Sequence, residues 1–233
     1  MKKIFFVIIH FLILFKVFGQ SSIYQDFIDI NNSFTKDSLL VNQRLEIINT
    51  HDGSKKIKIA KSIFCERKEF TVLPEDKNLS ILSTTSGYWM KNSKTKKPIK
   101  ISGSFSVDEI QMQDLLKIDY ENDYEITESN LSEFLLKRKN KKISYAHLKL
   151  SYDASSKAYT VFVLDNDFKT IKKIVYEASF VDNIQCFSRI KIYNMAFNTN
   201  IENCFVTESI KPIKVSKALF VPEHMDELLK CVN

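Results

Sequence analysis

The sequence predicts a mainly β fold: one strongly curved antiparallel sheet accompanied by a few short helices. Three observations carry that prediction. Apolar and polar residues alternate with a period of two over long stretches, as in Tyr145 to Tyr152 and Cys186 to Tyr193. Turn chemistry punctuates these stretches, at Asp153-Ala154-Ser155-Ser156, Asp165-Asn166-Asp167 and Asn198-Thr199-Asn200. Strands recur at hairpin spacing with no long helix between them, which requires antiparallel pairing.

Met1 to Gly19 reads as a cleaved secretory signal. Lys2 and Lys3 open it, Ile4 to Phe15 is an apolar run of 12 interrupted only by His10, and Val17-Phe18-Gly19 precedes the cut. A retained anchor is the alternative, but spanning a bilayer takes about 20 apolar residues. No Cys lies near the cut, which argues against lipidation of the chain itself. Residues 20–233 form a single expected domain of 214 residues.

Within that domain, Ile23, Phe27 and Ile30 share one face of a first short helix. Lys56 to Cys65, Lys68 to Leu73 and Lys97 to Ser102 are strand candidates. Ser106 caps an expected second helix, with Glu109 completing a capping box ahead of Ile110 and Leu115. In the next strand Ala146, Leu148, Leu150 and Tyr152 point one way and Tyr145, His147, Lys149 and Ser151 the other. Tyr159 to Leu164 and Ile171 to Tyr176 are apolar on both sides of the pleat, so a covering helix is expected over their second face. Cys186, Ser188, Ile190 and Ile192 alternate with Phe187, Arg189, Lys191 and Tyr193. Pro222 opens a third helix with Met225, Leu228 and Leu229 on one side.

The charge balance excludes some partners. Removing Lys2, Lys3 and Lys16 leaves 31 basic against 28 acidic residues, a net of +3. That is too mild, and too scattered, for nucleic acid. Lys91 to Lys97 and Lys137 to Lys142 read as solvated hairpin ends, with contact to anionic lipid headgroups as the second reading.

Catalytic constellations are missing. His51, His147 and His224 lie on distant segments without metal-ligand spacing. Asp165-x-Asp167 sits between two strands, where Asp and Asn serve the turn. Gly53, Gly87 and Gly103 are the only glycines after the signal, too few for a phosphate-cradling loop, and there is no Gly-x-Ser-x-Gly elbow. No enzyme and no cofactor is expected. Cys65, Cys186, Cys204 and Cys231 fit no zinc signature. Export permits disulfides, with Cys186–Cys204 the favoured pair because both lie in consecutive strands. Four small buried thiols are the alternative.

What remains is apolar. Phe64, Phe70, Val72, Trp89, Ile101, Phe105, Leu148, Leu150, Phe162, Ile190 and Phe205 can share one side of a curved sheet, as an ordinary core or as the wall of a cavity.

The stretch from Leu73 to Tyr124 contains Leu73-Pro74, Gly87-Tyr88-Trp89-Met90 and Pro98-Ile99-Lys100-Ile101. It continues with Gly103-Ser104-Phe105 leading to Asp114-Leu115, and then Asp123-Tyr124. In order and spacing it resembles the LolA-like outer-membrane lipoprotein-sorting family. The likeness covers residues 68 to 222, through Tyr145, Tyr159 to Leu164, the acidic turn, Lys169 to Lys173, Thr207 to Ile213 and Phe220. It departs after Trp89, where Met90 and a lysine-rich loop replace Tyr and Pro, and at Val107 to Ile110 in the turn. The resemblance implies an 11-stranded half-barrel closed by a helical lid, periplasmic location and a cavity for acyl chains. Trp89, Phe105 and Ile110 would stand nearest that cavity. Implied partners are lipoprotein or lipid cargo, an inner-membrane exporter and an outer-membrane acceptor, with transient membrane contact. The alternative function is a non-enzymatic envelope adaptor with the same fold and a filled cavity.

Overall fold

In the computed structural model, residues 23–232 are described apart from 36, 77–78, 85, 96, 104, 108–109, 112–117, 142, 144 and 197–199. The expected signal, 1–19, lies outside the described residues. A helix α1 (23–31) comes first and tightens into a 3₁₀ turn at Asn32–Phe34. Six strands follow: β1 (Leu39–Asn49), β2 (Lys55–Cys65), β3 (Lys68–Leu73), β4 (Leu79–Thr84), β5 (Gly87–Lys91) and β6 (Ile99–Ile101). A two-residue pair, β7 (Ser106–Val107) and β8 (Ile110–Gln111), precedes α2 (Tyr120–Asp123). Then come β9 (Tyr124–Ser129), β10 (Glu133–Arg138), β11 (His147–Asp153), β12 (Ala158–Leu164), β13 (Thr170–Val181), β14 (Ile184–Asn194) and β15 (Ile201–Pro212). The C-terminal helix α3 (Met225–Val232) follows a 3₁₀ turn at Pro222–His224.

Thirteen of these strands make one antiparallel sheet in the order β6-β5-β4-β3-β2-β1-β15-β14-β13-β12-β11-β10-β9. The chain starts in the middle at β1, meanders to the β6 edge, crosses to the β9 edge, and meanders back until β15 closes on β1. Since β6 and β9 do not pair with each other, the sheet is a half-barrel and not a closed one. The resemblance implied eleven strands; β6 and β9 extend the meander to thirteen.

Local sequence explains the connections. Asp182 and Asn183 both sit at positive φ, +47° and +66°, the left-handed pair that a tight two-residue hairpin needs. Asp165 Oδ1 accepts from the backbone N–H of Asp167 and of Lys169, each at 2.9 Å, so the acidic motif is a turn. The stretch from Ser106 takes a different form from the helix expected there: a β7–β8 pair, with 112–117 outside the described residues. A capping box contributes only about 1 kcal/mol and a ten-residue helix is marginal alone, so local pairing prevails.

Register sorts the side chains. Ile63 pairs with Phe70, Phe70 with Leu82 and Leu82 with Trp89, which puts all four on one face. α3 lies on that face, with Met225, Leu228 and Val232 packed against Ile63, Phe70, Val72 and Leu82. On the opposite face, Phe205, Ile190, Tyr176 and Tyr159 align across β15 to β12, and Val161 aligns with Leu150. α1 lies there. The half-barrel is therefore covered on both faces by two different helices, each over its own half.

Candidate functional site

The α1 face of β10 to β15 forms a trough, and α1 fills it. Helical spacing aims Tyr24, Phe27, Ile28 and Ile30 at the sheet. Phe27, 0% exposed, touches four rings: Tyr120 at 4.8 Å, Tyr159 at 5.2 Å, Phe187 at 5.3 Å and Tyr176 at 5.6 Å between centroids. Below them lie Leu136, Leu148, Leu150, Val161, Val163 and Ile174. Among the described residues, three side-chain hydrogen bonds tie the helix to the chain in front of β9. Tyr24 Oη donates to the carbonyl of Tyr120 at 3.4 Å, Asn31 Nδ2 to the carbonyl of Ile118 at 3.2 Å, and Asn32 Nδ2 to Glu121 Oε2 at 3.1 Å.

Beside the end of α1 the trough stays open. A small chamber of about 90 Å³ lies among Ile30, Phe34, Phe64, Ile190, Ile192 and Phe205, with Thr71 and Glu69 at its side. It shares Asn31, Phe64, Glu69, Ile118 and Tyr145 with a polar vestibule of about 560 Å³. That vestibule is walled by the β2–β3 turn (Glu66, Arg67) on one side and by Asp119 to Tyr124 and Asn140 on the other. Arg67 Nη1 reaches Asp119 Oδ2 across it at 3.2 Å.

Burial dominates the electrostatics of the site. Burial first, then the Glu121 and Asp119 carboxylates, push the Tyr24 hydroxyl up to about 12. Burial, with Asp26 and Tyr152, does the same for Tyr159. Tyr120 and Tyr124 are also raised, mainly by burial. Tyr124 Oη donates to the carbonyl of Tyr145 at 3.2 Å, and the Tyr120 and Tyr176 hydroxyls share a hydrogen bond at 2.8 Å. Asp123 is raised by burial and then by Asp119. Lys172, buried on the trough face, donates to Tyr145 Oη at 2.9 Å. Among the described residues no group of His, Cys, Asp or Glu could hold a metal ion.

The sequence-predicted site residues divide between the faces. Phe64, Ile190 and Phe205 line the chamber, and Leu148 and Leu150 lie deeper in the same trough. Ile101 is on that face but packs farther out, with Ala60, Leu73, Leu79 and Ile81. Phe70, Val72 and Trp89 are on the other face, under α3. Phe162 is also turned away, in register with Lys149 and Lys173, because its neighbour Val163 takes the trough position opposite Leu148. Phe105 is 37% exposed on the crossing between the two edges. Ile110 belongs to β8, and its side chain lies outside what is described.

The expected Cys186–Cys204 disulfide is absent. Cys204 pairs with Lys191, five residues along β14 from Cys186. That is about 16 Å of strand, against the Cα separation of about 4.4–6.8 Å that a disulfide needs. Consecutive strands were the right premise; the register was not readable. Phe27, Tyr145, Tyr176, Phe187 and Ile192 belong to the trough and were not among the cavity candidates; simple alternation set Tyr145 opposite Leu148 and Phe187 opposite Ile190, whereas all four pack in one cluster. Ile192 carried a signal, since it shares the parity of Ile190.

No protein-family model matches the sequence, and no curated protein matches it. Solved structures do. A LolA superfamily protein from Nitrosomonas europaea superposes with a TM-score of 0.69 at 15% identity, covering 88% of this chain and 98% of that one. A DUF1329 family protein from Desulfovibrio piger gives 0.62 at 13% identity, over 86% and 96%. An outer membrane lipoprotein-sorting protein domain from Vibrio parahaemolyticus gives 0.61 at 16% identity, over 85% and 97%. At such identities a likeness establishes architecture, and with the open thirteen-stranded sheet it leads to one conclusion: this chain has the LolA-like fold.

Proposed function

We propose that this protein is a periplasmic carrier that takes up the acyl chains of a lipoprotein or lipid and delivers them toward the outer membrane. The observation that carries the reading is that the trough is filled by a separate helix, held mainly by apolar contact. Phe27, Ile28 and Ile30 bury about 1.5–3 kcal/mol of apolar transfer each. About ten methylenes of an acyl chain bring about 8 kcal/mol. The two are comparable, so cargo can take the place of α1 and leave again when the helix returns. The polar vestibule beside the chamber suits the headgroup or peptide to which the chain is joined. An inner-membrane exporter that loads the carrier and an outer-membrane acceptor that unloads it complete the proposed route.

A second reading has its own observation. The residual chamber of about 90 Å³ is well below the roughly 300–1,000 Å³ of small-molecule pockets. A protein whose helix never leaves would be an envelope adaptor with a filled cavity. Native mass spectrometry separates the two, on protein purified from a periplasm without detergent and then offered an acylated peptide. Cargo at near one-to-one supports the carrier. A bare protein that also refuses the acylated peptide means that α1 stays in place, and the adaptor reading replaces it.

A further inference from the structure

The rim formed by the β12–β13 and β14–β15 turns carries two apolar side chains in water. Phe168 is 55% exposed and Met195 is 50% exposed. The turns are adjacent, because the N–H groups of Met195 and Ala196 both bond the carbonyl of Ile171. Phe168 bears a double cost. It is exposed, and its φ of +60° is a left-handed conformation that disfavours bulky side chains, in a turn where Gly or Asn would serve better. Its ring stacks on His147 at 4.3 Å between centroids, which fixes its direction.

Cations stand near the Phe168–His147 contact, with Glu125 in register with one of them, Lys137. Lys137 is in register with His147, Lys169 follows Phe168, and Lys173 stands 5.7 Å from the ring of Tyr193 one strand over. Arg138 lies next to Lys137 and donates to the carbonyl of Ile143. Asp165 and Asp167 are the acids of the turn, and Asp165 is engaged by backbone N–H groups. The His147 imidazole registers the resulting field, held below its ordinary value by burial and then by Lys137 and Arg138. Apolar knobs with lysines near them match the boundary of an anionic bilayer, where rings enter the interface and ammonium groups meet phosphates.

We infer that this rim, led by Phe168, docks the protein on an anionic lipid surface. The docking rests on rim geometry and charge and not on the carrier reading, although it gives that reading a direction. The β10–β11 turn behind His147 supplies Asn140, Ile143 and Tyr145 to the vestibule wall, so docking here brings the mouth of the site close to the lipid.

The test is flotation of the protein lacking residues 1–19 with vesicles of phosphatidylglycerol and phosphatidylcholine, against phosphatidylcholine alone. The protein should float with the anionic vesicles only. Phe168→Asn should weaken that binding about tenfold while melting at the same or a higher temperature. Lys169→Gln and Lys173→Gln should each weaken it about fivefold. Binding of an acylated peptide by Phe168→Asn is measured in parallel, and the carrier reading stands or falls on that readout alone. Failure to float, equal flotation on neutral vesicles, or undiminished flotation of Phe168→Asn overturns the inference and leaves the rim to a protein partner.

Discussion

The two halves of the sheet are built from the same hairpins but buried in different ways. In β3 and β4, four consecutive residues are buried, so both faces are covered. In β13 only Lys172, Ile174 and Tyr176 are buried, in strict alternation, and the other face meets water through Lys173, Glu177 and their neighbours. The two helices differ accordingly. α3 sits over strands that are covered on both sides, and Phe220 and Trp89 extend its contacts. α1 covers a trough whose floor is apolar and whose outer wall is solvated, so what it covers could as well be covered by something else. On the proposed carrier reading, the β1–β6 half is the frame and the β9–β15 half the receptacle.

Replacing the central side chain of each helix breaks that comparison most directly. Phe27→Ala should lower stability by about 3–5 kcal/mol, as for a core Phe, measured by denaturant unfolding. In a carrier the same variant should bind an acylated peptide more tightly, because α1 competes less well for the trough. Weaker peptide binding together with the lost stability would make α1 ordinary core. Leu228→Ala in α3 should cost about 2–5 kcal/mol and leave peptide affinity unchanged. A matched loss of affinity there would mean that frame and receptacle are one unit. Asn31→Ala removes a single hydrogen bond between α1 and Ile118, for about 1 kcal/mol, and should speed exchange of bound acyl peptide with little change in melting temperature.

The same asymmetry explains what the sequence could disclose. β3 was placed to the residue and β2 to within one, since alternation and turn residues act locally. The side of the sheet was another matter. In β2, Ile63, Phe64 and Cys65 are all buried, and nothing in that run separates Phe64, which meets Phe34 in the receptacle, from Ile63 under α3. Trp89 followed Leu82 and Phe70 to the frame for the same reason. Only the cross-strand register, a property of distant pairs, sorts such positions, and where both faces are apolar a one-residue ambiguity in parity moves a residue from one helix to the other. Receptacle strands with lysines on their outer face were easier: Leu148, Leu150 and Ile190 fell on the trough side as alternation required, while Phe162, in the β12 run apolar on both sides, did not.

The smallest effect probes the seam where β1 joins the halves. Glu46 faces Cys204 of β15 across that seam and is bridged by Lys55 at 2.9 Å and Arg44 at 3.2 Å, while Arg44 also reaches Glu208 at 3.4 Å. The hydrogen bond from Lys55 chiefly, with the charges of Lys55, Arg44 and Arg189, holds the Glu46 carboxyl below its ordinary value. A carboxyl depressed in the folded state stabilises it fully above the ordinary range near pH 4.3, and that contribution is lost as pH falls through the folded value. Glu46→Gln should therefore melt slightly below the native protein at pH 7, and the gap should close in the acid range. If the seam merely holds frame and receptacle together, acylated-peptide affinity should not change in Glu46→Gln at either pH. A change in affinity that follows the same titration would instead mean that the β1–β15 joint bends when cargo enters, and the receptacle would then extend to the seam itself.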